Sequence, residues 1–265
     1  MNAQSSTNDH NTSSRVRALY QLNYKIDSAA TMPTRVTMIL RYSDGISRFQ
    51  SYGLHMMDSV YLSLKNTPEQ ERLQQAMNAT WKGGKNEFQY TILKKSAENL
   101  VSYHDFINSE RYQYQEKAPL FSWRVTPQRK AIAGYNCQQA FTMFGGRVWE
   151  AWFTRDVPVS DGPYKFYGLP GLILQVRDTR DHYVFSLLCL DTNPAPFDAA
   201  TDTGAPLSAK LSAGVVEKRK FLQAKLNDDL TFTDRMAASG NHVPEEMRKS
   251  YLEKLKRRNN PLERE

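Results

Sequence analysis

Between Val16 and Asp191 apolar residues recur at every second position in short runs, and each run stops at a turn signal. Val16, Ala18, Tyr20, Leu22, Tyr24 and Ile26 share one parity, and Arg17, Gln21, Asn23 and Lys25 take the other. A period of two belongs to a strand with one buried face. Similar runs lie at Arg35–Tyr42, Ile46–Tyr52, Phe88–Ile92, Leu100–Ile107, Arg111–Gln115, Gln139–Met143, Arg147–Thr154, Leu172–Arg177 and Tyr183–Asp191. Ser43-Asp44-Gly45, Phe144-Gly145-Gly146-Arg147 and Asp178-Thr179-Arg180-Asp181 separate neighbouring runs with residues suited to tight turns. Strands do not alternate with helices, which argues against a parallel α/β sheet. The expected class is mainly β (α+β): a curved antiparallel sheet or a partly open β-barrel, since such sheets must hide their edges.

One helix interrupts this pattern. Thr67-Pro68-Glu69-Gln70 combines an N-cap, a first-turn proline and a glutamine three residues after the cap, which predicts a helix near 67–80. Residues 1–14 are polar and read as a disordered leader, and 15–191 as the β domain. Residues 192–213 are rich in Pro, Ala and Thr and read as a linker loop. Residues 214–265 read as a helical basic tail, with Met247, Tyr251, Leu252 and Leu255 along one side of its last helix.

The net charge of +7 is concentrated between Lys218 and Arg258. No nucleic-acid-reading motif accompanies it, so a solvated helix face is expected rather than a nucleic-acid surface. No apolar run approaches the roughly 18 residues of a transmembrane helix. Cys137 and Cys189 lie in separate strand-like runs, and they are read either as one possible disulfide or as buried thiols.

Catalytic and metal signatures are missing. There is no G-x-S-x-G elbow, no H-E-x-x-H and no acidic calcium loop. The five histidines are scattered, so no catalytic residue is assigned and no cofactor or metal is expected. His55-Met56-Met57 offers soft ligands suited to copper, although core packing accounts for it as well. Tyr112, Tyr114 and Trp123 form an aromatic series able either to line a cavity or to fill the sheet's core face. Trp149 and Trp152 differ in parity and must face opposite sides of their strand.

The segment Gly168-Leu169-Pro170-Gly171-Leu172-Ile173, preceded by Ser160-Asp161-Gly162-Pro163-Tyr164-Lys165-Phe166-Tyr167, resembles the GLPGLI family of Bacteroidota. Ile132–Ala140, Gly146-Arg147, Ala151-Trp152-Phe153-Thr154, Val157-Pro158 and the ending Arg258-Asn259-Asn260-Pro261-Leu262-Glu263 are similar to it too. The resemblance implies an exported protein of the periplasm or cell envelope, with its signal peptide removed, and no established common activity. It also implies a loose likeness to lipoprotein-carrier half-barrels, in which a curved sheet is plugged by helices.

In the signature itself, two glycines bracket Leu169-Pro170. Proline fixes its own φ and pushes the preceding residue extended, so the chain enters the next strand by a rigid, tight route. Either this loop clasps the sheet or it rims a binding site. The candidate site is therefore Tyr164, Phe166, Tyr167, Gly168, Leu169, Pro170 and Gly171, with Trp152. The expected function is a non-catalytic envelope protein that binds an apolar small molecule or an envelope protein partner. The alternatives are a structural partner in an outer-membrane assembly and a copper-handling protein or enzyme.

Overall fold

The computed structural model describes residues 15–82, 88–108, 110–195 and 212–264. The expected leader at 1–14 and residues 196–211 of the expected linker lie outside these. Twelve strands form one open sheet among the described residues. They are β1 (Arg15–Tyr24), β2 (Thr34–Ser43), β3 (Ile46–Ser51), β4 (Thr91–Lys95), β5 (Leu100–Ile107), β6 (Glu110–Lys117), β7 (Arg124–Ile132), β8 (Tyr135–Phe144), β9 (Arg147–Thr154), β10 (Leu172–Asp178), β11 (Tyr183–Asp191) and β12 (Ser212–Val215). Their spatial order is β12-β6-β5-β4-β3-β2-β1-β11-β10-β9-β8-β7, antiparallel throughout except for the parallel β12–β6 pair. The fold is thus a mainly β curved sheet, open rather than closed into a barrel, with edges at β12 and β7.

β1 opens the described chain yet sits at the middle of the sheet. It pairs with β2 from Arg15↔Ser43 to Tyr24↔Thr34 and with β11 from Arg17↔Asp191 to Tyr24↔Tyr183. Its alternating residues Ala18, Tyr20, Leu22 and Tyr24 are buried and join Leu40, Phe49, Ile92, Trp149, Ala151, Phe153, Val176 and Phe185 in a single core. These residues share one face of the sheet, here the inner face, and period two places them there. The loop 155–171, the C-terminal segment and part of the last helices cover that face.

The other, outer face is covered on one half by two helices, α1 (Tyr52–Ser63) and α2 (Glu69–Lys82). The residues of α1 carry no clear apolar period, so nothing local announces this helix. Ser51 caps it by accepting from the Leu54 N–H at 3.3 Å. Arg48 and Gln50 point outward from β3 and reach Asp58 of α1, with Arg48 Nη2 to Asp58 Oδ2 at 2.9 Å. Arg48 and Asp58 are both buried, so the helix docks through a charge pair set between the buried Leu54 and Tyr61. His55, Met56 and Met57 lie on this helix. No group of three or more His, Cys, Asp or Glu stands close enough to hold a metal ion among the described residues.

β7 was also missed by the alternation reading. It is an edge strand exposed on both sides, with Pro127 inside a bulge between Val125 and Arg129. Proline lacks the ladder donor, and an edge with a bulge is where a sheet tolerates it. The possible disulfide is corrected: Cys137 and Cys189 are free, the first buried and the second exposed. Cys137 sits on β8 and Cys189 on β11, with β9 and β10 between them. Three strand spacings make about 14 Å, roughly twice what a disulfide can bridge.

His104 faces outward from β5, opposite Thr91 and Gln113. Burial, and then the charges of Arg111 and Arg48, lower its pKa to about 3. An unfolded histidine takes up its proton near 6.5, so unfolding takes up a proton at any pH between these two values. Stability should therefore fall as pH drops below 6.5, by up to about 1.4 kcal/mol per pH unit from this residue. Thermal denaturation between pH 7 and pH 5 should show that slope, and His104→Gln should reduce it, leaving the part due to His55, whose pKa burial lowers to about 4.

Candidate functional site

The loop 155–171 is folded onto the inner face by charge. Lys94 of β4 is buried and forms an ion pair with Asp161. Its ammonium also donates to the carbonyls of Gly162 at 2.7 Å, Tyr164 at 3.1 Å and Phe166 at 3.4 Å. One lysine thus gathers four points of the loop around itself. Asp161 in turn accepts from the Gly162 N–H at 2.6 Å.

Gly171 closes the loop beneath β9. Its φ is +148°, and a Cβ there would lie 1.9 Å from the Thr154 carbonyl oxygen. Only glycine allows this crossing.

Lys165 is fully buried in the same loop. It pairs with Glu116 of β6 and, at 2.6 Å, with Glu263 of the C-terminal segment. The Tyr114 hydroxyl lies 3.0 Å from its Nζ. Lys218, at the start of helix α3 (Lys218–Ala238), bridges the same two carboxylates at 3.0 and 2.7 Å. Two lysines and two glutamates from four parts of the chain therefore form one closed box. Burial alone would raise the Glu263 carboxyl. The charges of Lys165 and Lys218 and their hydrogen bonds outweigh it and hold the carboxyl below the usual carboxylate range.

Glu263 reaches the box because residues 259–264 return from helix α4 (Glu245–Arg257) and lie along the sheet. Asn260 is completely buried. Its side-chain oxygen accepts from Arg147 at 2.6 Å, its N–H donates to the Ile26 carbonyl, and its own carbonyl accepts from the Tyr183 hydroxyl. Arg147 also donates to Asp178 at 2.8 Å and to the carbonyls of Pro261 and Leu262. Gly145 and Gly146 clear the path, because a Cβ on either would meet Glu263 or Arg264 at about the closest tolerable approach.

Between this returning segment, β4–β6 and α3 lies a cavity of about 360 Å³. Phe88, Tyr90, Tyr103, Tyr114, Tyr164, Tyr183 and Phe221 supply aromatic walls. Its charged lining is already paired: Asp105 with Lys225 at 2.7 Å, Asp229 with Arg258 at 3.3 Å, and Glu263 within the box. A smaller cavity of about 270 Å³ lies on the other side of the loop, beside Lys94, Asp161, Tyr167 and Gly168.

The residues nominated from sequence separate. Tyr164 lines the larger cavity, and Tyr167 and Gly168 the smaller. Phe166 and Leu169 are core residues, and Pro170 is exposed. Trp152 points to the face opposite Trp149, with the Lys130 ammonium 4.2 Å above its ring, yet at 7% exposure it is buried and belongs to the core cluster as Trp149 does. Of the aromatic series, Tyr114 lines the cavity and Tyr112 and Trp123 do not.

Sequence reasoning missed Tyr90, Tyr103, Phe221 and the returning segment. The parity of Tyr103 and Asp105 on one strand face was the available signal for the first group. The segment Asn259–Glu263 carried no signal beyond its family resemblance.

Two outcomes follow. Leu169→Ala should cost about 2–5 kcal/mol of stability, because the side chain is 1% exposed within the core. Thermal melting measures it. Glu263→Gln should cost about 3 kcal/mol, since it leaves buried Lys165 short of one counter-charge. Urea denaturation checks this, with Lys218→Met as the milder comparison because Lys218 is partly exposed.

The profile of a family described as "Protein of unknown function (Porph_ging)" matches residues 146–175, that is β9, the loop and the start of β10. No curated protein matches the sequence. Two solved structures of PNGF-II, in C2 and P21 space groups, superpose with TM-scores of 0.55 and 0.56 at 15% and 14% identity. Both superpositions cover 82% of this chain, but only 33% and 34% of PNGF-II. MucB in complex with MucA(peri) aligns at a TM-score of 0.32 and 11% identity, over 76% of this chain and 54% of that one. The chain spans about a third of the length of PNGF-II, and what it has in common with PNGF-II is the curved β fold.

Proposed function

We propose that this chain is an exported protein of the GLPGLI family that binds an apolar small molecule in the aromatic cavity of its inner face, without catalysing a reaction on it. The cavity carries this reading. Its volume falls within the roughly 300–1,000 Å³ usual for small-molecule sites, and its walls combine seven aromatic rings and four other apolar residues with charged side chains that are already ion-paired. The surrounding ion pairs fix the walls rather than offer free charge, which suits holding a ligand more than transforming one. Residence in the periplasm or cell envelope belongs to the same proposal and rests on the resemblance of the signature segment.

Burial of a hydrophobic ligand here would remove aromatic surface from water at about 25 cal/mol per Å². Protein purified from its native source should therefore show, by native mass spectrometry, a small-molecule mass excess that vanishes on denaturation. A bare mass, together with co-purifying membrane proteins, would instead favour a structural assembly role.

A further inference from the structure

The cavity's aromatic residues are not equivalent. Tyr90, Tyr103 and Tyr114 form a row, with ring centroids 5.3 and 4.9 Å apart and planes inclined by 30° and 16°. Phe221 of α3 docks on this row, edge to face with Tyr103 at 5.7 Å and with Tyr114 at 5.1 Å. Phe88 and Tyr164 meet Tyr90 in the same manner, at 5.4 and 5.7 Å. The row therefore already accepts rings, in the tilted geometry that ring quadrupoles favour.

The hydroxyls differ as well. That of Tyr114 is bound by Lys165, that of Tyr164 by Glu263, and that of Tyr183 by the Asn260 carbonyl. Tyr90 is 4% exposed, its hydroxyl has no hydrogen-bond partner among the described residues, and that oxygen is itself buried beneath the packed rings of Phe88, Tyr103 and Tyr164, so a ligand group reaches it only by moving one of those rings aside. The charges that act on it, those of Tyr183, Asp105 and Glu263, all belong to the cavity lining. A buried hydroxyl left unpaired is costly, and a ligand group that supplies the partner recovers that cost on binding. Every carboxylate and cation of the wall already has its counter-ion, so a charged ligand would lose its hydration without gaining a partner.

We infer that the cavity takes an uncharged, ring-containing molecule bearing one hydrogen-bonding group, and that Tyr90 reads that group. This rests on the cavity being a binding site, as proposed above. It adds the chemical class of the ligand and names the residue that sets specificity.

Equilibrium dialysis of the full chain against naphthalene, 2-naphthol and 2-naphthoate tests it. 2-Naphthol should bind about tenfold more tightly than naphthalene, the difference expected for one recovered hydrogen bond. 2-Naphthoate should bind more weakly than either. Tyr90→Phe should lower 2-naphthol to the affinity of naphthalene and leave naphthalene unchanged. Its ligand-free melting temperature should be equal to or above the parent's, because the unpaired hydroxyl is gone.

A preference for 2-naphthol that survives Tyr90→Phe, or tightest binding by 2-naphthoate, overturns the inference and leaves the cavity as a binding site. Binding of none of the three overturns both. Should Tyr90→Phe fail to fold, the ranking of the three probes on the parent protein decides alone, and equal affinities count against the inference.

Discussion

A lysine ammonium taken wholly out of water needs counter-charges close by, and much of the inner face is organised around that need at Lys165. The residue sits in the loop between β9 and β10, and its carboxylate partners come from β6 and from the C-terminal segment. Lys218 pairs with the other oxygen of each carboxylate, so two positive charges meet two negative ones, and it thereby ties down the start of α3. Four segments distant in sequence are thus held by one electrostatic closure. Had any one of them been placed elsewhere, a charge would be left buried and unmatched. Such an arrangement contributes less to net stability than to uniqueness, because apolar contacts would tolerate sliding and paired charges do not.

The two faces of the sheet solve the same problem differently. The inner face collects large rings and is sealed by a loop and a returning chain end, both pinned by lysine and arginine donors. The outer face receives a helical hairpin through Arg48, Gln50 and Asp58. Polar anchors set the register of covering elements, and apolar residues fill what lies beneath. The aromatic cavity survives where this filling stops, between β4–β6, α3 and the segment 259–264.

Much of the sheet was legible because period two is a local property. Strands such as β1 and β9 show it in the residues themselves, and the helix α2 begins at Glu69, two residues after the Thr67 of its start signal. What escaped depends on distant partners. β7 is an edge strand with no buried face to impose a pattern, and α1 docks through a charge pair. The signature loop stood out as rigid, yet its Leu169 and Phe166 serve the core, and only Tyr164 reaches the larger cavity. Tyr90 could not be singled out, because its distinction is a missing partner, which no local pattern encodes.

The central position of β1 has a consequence in time. Its neighbour β11 lies more than 150 residues further along the chain, as the pairing of Tyr20 with Leu187 illustrates. During synthesis, that side of β1 therefore stays an unpaired edge until β11 has emerged. The segment 259–264, which completes the charge closure, emerges later still. Contacts of such separation slow folding and prolong the exposure of an apolar strand edge. The cavity between β4–β6, α3 and the segment 259–264 therefore comes into being only once that segment has emerged, when the rest of the sheet is already available to receive it.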